Sequence, residues 1–600
     1  MKRFILVLTL LAFCVVPSLA DPVDLYRAGE TARAFFQNDR NVALRMASLQ
    51  QVPRAAAPLT KAAEERPPFY IFNRAGGGFV IVAADDACNP ILAYSFTHPF
   101  GVGHDMPEGL KAWLDDLAME VEWGRSASAA ERQAGQRKWE AVFTQTKAGD
   151  GYLPEVHYET PTWGQDAPFN DLAPTIGGVK SAAGCVPLAM SMLARFFRYP
   201  AAGKGTIPDY TYTSESGTSI TIPGHTLGKA YEWDKMRMDY SKSYTADEAA
   251  AVAQLVYDCG VMTQAEYGDE TASNIFLMSR KAIDFLGYDP GATGYYRNYY
   301  SDEEWLDMLK KELQEQPVLY SARRDAASGH AFLIDGYDSQ GFLSVNWGWN
   351  GNSNGYYALS AFAPTDSPYR YPLQHAAIFG LKPDAGGTPV EYLYLYSGIS
   401  SSGESFKGLE NLDEIVPRRT FLMNFGGICN GSNTAFDGSV ALALTDAEGN
   451  IKDFVCSPLE YPATQPRAWR GFLNVSCVMN AFPVEGDVIR GFYRRSTWAE
   501  DDWRPLLYDR TDGTVGEIPV YDNQALAEAT TFSYNKDTQL VTIETKDRVD
   551  WSLKSSSGTA VTDGVSYSGV RMSINTQSLK GSYTLTLRRG GEQCILTLKF

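Results

Sequence analysis

The 600-residue chain is poor in the side chains from which most metal and redox centres are built. It has 8 cysteines, and no two lie close enough for a Cys-x-x-Cys pair. That excludes zinc ribbons and thioredoxin-like redox motifs. The same 8 are too sparse for a disulfide scaffold. The 6 histidines are scattered, with no His-x-x-x-His spacing. No glycine-rich run ends in Gly-Lys-Ser or Gly-Lys-Thr, so there is no phosphate loop. Neither a metal nor a cofactor is expected. Basic charge is also short, 53 Lys and Arg against 71 Asp and Glu, a formal net charge of −18. A nucleic-acid binder or a protein docked on anionic lipid would need a basic face. No Asp or Glu pair stands in a setting that marks it as a carboxylate-pair hydrolase. The one long apolar run, Phe4 to Val16, falls short of the roughly 20 residues of a membrane span.

That run has another reading. Lys2 and Arg3 precede it, and Ser18-Leu19-Ala20 supplies small residues after it. This is the pattern of a signal peptide cleaved near Ala20. The protein is therefore expected to be secreted or held at the cell surface. Cys14 leaves with the signal, so an odd number of cysteines remains and at least one is a free thiol. Cys88, Cys259, Cys429, Cys456, Cys477 and Cys594 read as structural, and Cys456 and Cys477 are a pair that could bridge within one sandwich.

With 44 % hydrophobic and 21 % charged residues the chain is a folded one. Its length allows roughly four domains at about 150 residues each. Residues 21 to about 65 are Ala- and Arg-rich with helical periodicity. Phe69–Phe72 and Phe79–Ala83 flank Gly76-Gly77-Gly78 as a β-hairpin. Leu110, Trp113, Leu114, Leu117 and Val121 recur at helical spacing. Residues 124–150 read as an exposed helix and linker, a plausible processing site. From Tyr158 the texture turns to helices (Val186–Phe197, Ala246–Tyr257, Trp305–Leu313) and then strands (Val318–Ser321, Ala331–Tyr337, Phe342–Trp347). Helices first and strands later indicate an α+β domain. Asp384–Pro389 is a linker, and short alternating strands beyond it read as β-sandwich modules. The expected domains are a signal peptide (1–20), a propart (21–150), a catalytic domain (151–386), a β-sandwich module (387–525) and a C-terminal β module (526–600) for sorting or attachment.

The chemistry gathers in the middle. In Gly184-Cys185-Val186-Pro187, glycine allows an unusual backbone and proline suits a first helical turn. Cys185 thus sits at the mouth of a helix, where the dipole and free N–H groups favour a thiolate nucleophile. A nucleophile needs a base. His330 follows 145 residues later, preceded by Gly329 and followed by an apolar strand, so its imidazole opens onto a cleft. That separation is the one papain-like proteases use. Asn346, at a strand end, is expected to orient the imidazole, with Trp347 shielding that bond; Gly329 and Trp347 are expected beside the substrate. The Cys185 N–H and the Gln165 side-chain amide are expected to hold the oxyanion. The order Gln165, Cys185, His330, Asn346 is that of papain-like enzymes.

On these residues, and on Trp163-Gly164-Gln165, Pro168-Phe169-Asn170, Tyr257-Asp258-Cys259-Gly260-Val261, Gln316-Pro317-Val318 and Asn346-Trp347-Gly348-Trp349, the sequence resembles the streptopain family of secreted bacterial cysteine proteases, of the interpain and periodontain type. Gly78–Asp86 in the propart is similar too. The resemblance spans residues 21–383. It implies a papain-like α+β catalytic domain and an N-terminal α+β propart that blocks the cleft until cut. It also implies a Cys185–His330 dyad acting on polypeptides. Ser273 falls where the family has a Ser/Gly-rich substrate loop, here replaced by Gly-Asp-Glu-Thr-Ala-Ser-Asn. The expected activity is that of a cysteine endopeptidase made as a zymogen. The alternatives are another cysteine acyl-transfer enzyme (an amidase or transglutaminase) and a non-catalytic surface adhesin.

Overall fold

A computed structural model describes residues 23–36, 44–46, 67–101, 106–127, 129–144, 151–214, 217–323, 329–361, 374–399, 405–413, 415–484, 486–520, 530–535, 540–545, 549–566, 571–575, 578–589 and 592–599. The expected signal peptide lies outside them. The chain divides into two compact units, residues 1–388 and 389–600.

The first unit begins with α1 (Leu25–Phe35), capped by the Asp24 carboxylate on the Arg27 N–H at 2.7 Å. The expected helical texture to residue 65 gives way at β1 (Leu44–Met46), which pairs antiparallel with β2 (Phe69–Arg74). β2 turns through Gly76, Gly77 and Gly78, all at positive φ, into β3 (Phe79–Ala83). That is the hairpin the residues predict, in the register Phe69 opposite Ala83. β4 (Ile91–Ser95) completes this set, and α2 (Glu108–Gly124) and α3 (Ala129–Phe143) follow. α3 is not only an exposed connector. Trp139 and Val142 are buried, and the Trp139 indole donates to the Cys88 carbonyl at 3.0 Å.

The next part holds β5 (Pro154–His157), α4 (Cys185–Phe197), α5 (Ala246–Met262), α6 (Ile275–Lys281), β6 (Thr293–Tyr296) and α7 (Asp302–Leu313). Full capping boxes open α5 at Thr245 and Glu248, and α7 at Ser301 and Glu304. Strands β7 (Val318–Arg323), β8 (Gly329–Asp338), β9 (Leu343–Asn346), β10 (Gly355–Tyr357) and β11 (Gln374–Phe379) come last. Most of the helices come before this run of strands, the order expected of an α+β domain.

All these strands join one 11-stranded sheet in the order β1-β2-β3-β4-β10-β9-β8-β7-β11-β6, with β5 on β8. The propart strands and the later strands are thus continuous. The seam is β4 against β10, with Tyr94 opposite Tyr356 and Ala93 opposite Tyr357. β8 is buried on both faces from His330 onward, in keeping with its apolar stretch Ala331–Ile334. Phe332 and Ile334 join a core with Trp113 of α2 and Trp305 of α7. The alternate residues Ala331 and Leu333 join a second core with Leu188, Met192 and Leu193 of α4. Strand period two therefore separates a propart-side core from a helix-side core.

In residues 389–600 a five-stranded sheet carries β12 (Thr420–Asn430), and a six-stranded one carries β13 (Phe436–Thr445) and β14 (Ile451–Phe454). β15 (Trp469–Val478) pairs with β12. Residues 530–599 form a three-stranded and a four-stranded sheet. Val541, Ile543, Leu553, Leu585 and Leu587 lie in the core between their strands.

Candidate active site

The site starts at a glycine that cannot be replaced cheaply. Gly184 has φ +91°, and a β-carbon there would stand 2.8 Å from Thr271 Cγ2. Only glycine fits this turn, and the turn delivers Cys185 as the first residue of α4. Pro187 lies in the first turn, and its carbonyl accepts the Ser191 hydroxyl at 2.7 Å. Leu188, Met190, Met192 and Leu193 anchor the helix in the core, so its mouth is fixed.

His330 enters from the start of β8 and is buried. Its Nε2 lies 2.8 Å from the Trp347 carbonyl oxygen. A carbonyl only accepts, so Nε2 carries a hydrogen and the other ring nitrogen is left to exchange a proton. The Cys185 thiol and this imidazole are close enough to shift one another. Burial pushes the thiol pKa up. The His330 charge, its hydrogen bond, and the backbone at Ala331 and Val186 outweigh that, and the thiol ends below its ordinary value. Burial likewise pushes the imidazole down. The Cys185 charge and hydrogen bond, the Trp347 carbonyl and the Glu108 charge raise it above its ordinary value. The pair therefore favours thiolate and imidazolium together.

The structure changes the third partner. Asn346 was expected to hold the imidazole, but it is the backbone of the next residue that does so. The Asn346 side chain donates to Thr160 Oγ1 at 2.8 Å and to the Pro161 carbonyl at 2.9 Å. Its Oδ1 accepts the Gly348 N–H at 3.2 Å. Asn346 thus ties down the turn that carries the Trp347 carbonyl. Trp347, expected at the substrate, is fully buried, with its ring 4.5 Å from Phe332 and 5.9 Å from Trp113 of α2.

Gln165 lies beside the helix mouth. Its backbone carbonyl accepts the Ala183 N–H at 2.9 Å, two residues before Cys185. Gly164 packs on Asn350, whose amide would lie 2.5 Å from a β-carbon there. Ser273 does not face the nucleophile. Its hydroxyl turns to the Thr263 carbonyl at 3.4 Å. The residue of that loop at the helix mouth is Thr271, which contacts Gly184 and donates to the Ala182 carbonyl at 2.8 Å. Sequence reasoning missed Thr271, since a hydroxyl used for loop geometry has no motif. Gly329 is exposed at the first position of β8, opposite Arg323.

α2 covers this centre. A β-carbon at Gly109 would stand 2.7 Å from His330 Cβ, so only glycine lets the helix come this close. Further along α2, Trp113 donates to the Ala358 carbonyl at 2.8 Å. The Asp116 carboxylate meets His375 Nε2 at 2.9 Å, and Tyr320 closes on the other ring nitrogen at 2.9 Å. Glu120 accepts the Ser360 hydroxyl and the Ala361 N–H at 2.7 and 2.5 Å. Burial pushes its carboxyl up to about 8, against the Ser360 bond and the Arg297 charge. Among the described residues, no cluster of His, Cys, Asp and Glu could hold a metal ion.

Residues 163–357 match the Peptidase C10 family. Residues 20–121 match the Spi protease inhibitor family. The thiol protease/hemagglutinin PrtT of Porphyromonas gingivalis is 29 % identical over 549 residues, which is 87 % of this chain and 58 % of that protein. Streptopain of Streptococcus pyogenes is 28 % identical over 313 residues, 49 % of this chain and 75 % of that protein. The chain is thus similar to the streptopain family of cysteine proteases, and it spans 58 % of the length of PrtT. Among solved structures, a prointerpain A fragment from Prevotella intermedia is 26 % identical, covering 57 % of this chain and 99 % of that one, with a TM-score of 0.42. Active interpain A of the same organism is 30 % identical, covering 39 % and 98 %, with a TM-score of 0.33. The peptidase match encloses Cys185, His330 and Asn346, and the inhibitor match encloses Gly109, Trp113, Asp116 and Glu120.

Proposed function

We propose that the protein is a secreted cysteine endopeptidase, made as a zymogen whose residues 21–150 restrain the catalytic domain at 151–386. The observation that carries this reading is the half-buried Cys185 at a helix mouth beside the buried His330, each group favouring the charged state of the other.

In this reading the Cys185 thiolate attacks a peptide carbonyl. The oxyanion takes the Cys185 N–H and the Gln165 side-chain amide. The His330 imidazolium gives its proton to the departing amine, leaving a thioester. Neutral His330 then takes a proton from water, which hydrolyses the thioester and restores the thiolate. Asn346 acts through the Trp347 carbonyl to keep Nε2 protonated and the ring in place.

Residues 387–525 and 526–600 serve localisation or surface attachment in this proposal. The signal peptide at 1–20 directs export. The test is the purified full chain beside its Cys185→Ala form. The parent should process itself and cleave casein, and the variant should do neither. Casein cleavage surviving in the variant would refute the assignment.

A further inference from the structure

We propose that Cys456 and Cys477 form a disulfide that staples the five-stranded sheet to the six-stranded sheet in residues 389–520. One backbone hydrogen bond and a pair of side-chain contacts put these residues opposite one another. The Val478 N–H donates to the Val455 carbonyl at 2.7 Å. Two positions further out, the Asp453 carboxylate accepts the Asn480 N–H at 2.7 Å and the Ala481 N–H at 3.1 Å. The segments run antiparallel, so residue 456 faces residue 477. Directly opposed residues in such a pair have Cα atoms about 4.5–5.5 Å apart, within the span a disulfide accepts.

Both side chains point inward and are buried. Both are free thiols in the structure, and each shifts the other, Cys456 downward and Cys477 upward. The Leu442 N–H also donates to the Cys456 sulfur at 3.2 Å. Cys456 follows β14 of the six-stranded sheet, and Cys477 belongs to β15 of the five-stranded sheet. A bridge here ties sheet to sheet. None of the other cysteines is shifted by a second thiol among the described residues. Cys429 bonds the Asn430 carbonyl, and Cys259 bonds Ser191.

The oxidant is an external disulfide of the exocellular or envelope compartment. The Cys456 thiolate attacks one of its sulfurs and releases one thiolate. The Cys477 thiolate then attacks the protein sulfur of the mixed disulfide and releases the second. Two protein thiols are oxidised, one external disulfide is reduced to two thiols, and the two protons go to the released thiolates. Cys185, in the other unit, stays reduced.

The test uses the full chain with Cys185→Ala, which removes self-cleavage. It is isolated from an exporting host, and in parallel refolded from urea with oxidised glutathione. Free thiols are capped with N-ethylmaleimide, the chain is digested and the peptides are weighed. A Cys456 peptide joined to the Cys477 peptide, two hydrogen masses lighter than the pair of thiols, is the expected result. Reduction should then lower the unfolding midpoint of the sandwich by about 10 °C. A Cys456→Val, Cys477→Val form should show no such response to reductant. Maleimide on both Cys456 and Cys477 in both preparations would overturn the proposal. So would cross-links spread evenly over the other cysteines.

Discussion

A thiol buried beside an imidazole can lose its proton to water or to the neighbouring nitrogen. At Cys185 burial penalises a lone thiolate, and His330 turns the balance by taking the proton and staying close as a cation. The sign of the pH dependence follows. The thiolate forms as pH rises through the lowered value of Cys185. The imidazolium is lost as pH rises through the raised value of His330. Once the propart is removed, kcat/KM against pH should be a bell between these limbs, which belong to the pair and not to either residue. His330→Ala should cost about 10³-fold in kcat/KM on a peptide ester or amide. Asn346→Ala keeps both catalytic groups but frees the turn behind the Trp347 carbonyl. It should lower kcat roughly 10- to 100-fold with little change in KM, and its acid–base limbs should shift with the loosened imidazole. A structural role alone would leave the pH profile unmoved. Cys185 and His330 were legible in the sequence because glycine, proline and an apolar strand mark their places. The imidazole's true partner was not. A backbone carbonyl has no side-chain signature, so the amide next to it drew the assignment.

α2 is the element that joins restraint to chemistry, and two of its residues make that testable. Gly109 lies against His330, with space for hydrogen only. Gly109→Val should lift the helix from the imidazole and shorten the lag before self-processing, as followed by gel and fluorogenic peptide. Glu120 titrates with docking. Its buried carboxyl holds a proton up to about pH 8, whereas a free one loses it near 4.5. The docked form therefore binds the extra proton, and this contribution is full below about 4.5 and lost as pH rises through about 8. His375, pushed down by burial against Asp116, works in the opposite direction. Comparing Glu120→Gln with the parent isolates the carboxyl. In the Cys185→Ala background, the urea midpoint of the parent should fall relative to the Gln form between pH 5 and 8. Equal slopes would remove Glu120 from the account. The hairpin β2–β3 and the helices α2, α4 and α7 were readable because their apolar period is strong. The strand β1 was not, since helix-forming residues surround it and only pairing with β2 fixes it. Trp139 was also hidden, a single apolar anchor in a polar helix.

At the scale of the molecule, the propart is no separate cap. Its strands continue the catalytic sheet across the β4–β10 seam, and Trp113 of α2 shares a core with β8. Cutting the connector between α3 and β5 leaves that seam and core intact, so release requires a further step. A chain nicked there should hold its propart until mild denaturant or a second cut, as size-exclusion chromatography would show. The second unit has its own sheets and core, and a chain ending at Thr388 should still process itself. The sequence texture showed where the β region starts but not that propart and enzyme share one sheet, because strand order is a long-range property. The most direct test of the central claim is the alkylation rate of Cys185 by iodoacetamide against pH, in the mature enzyme and in His330→Ala. The pairing predicts a fast reaction whose midpoint lies below that of an ordinary thiol, and a slow one shifted upward when the imidazole is absent. Identical profiles for the two forms would contradict it.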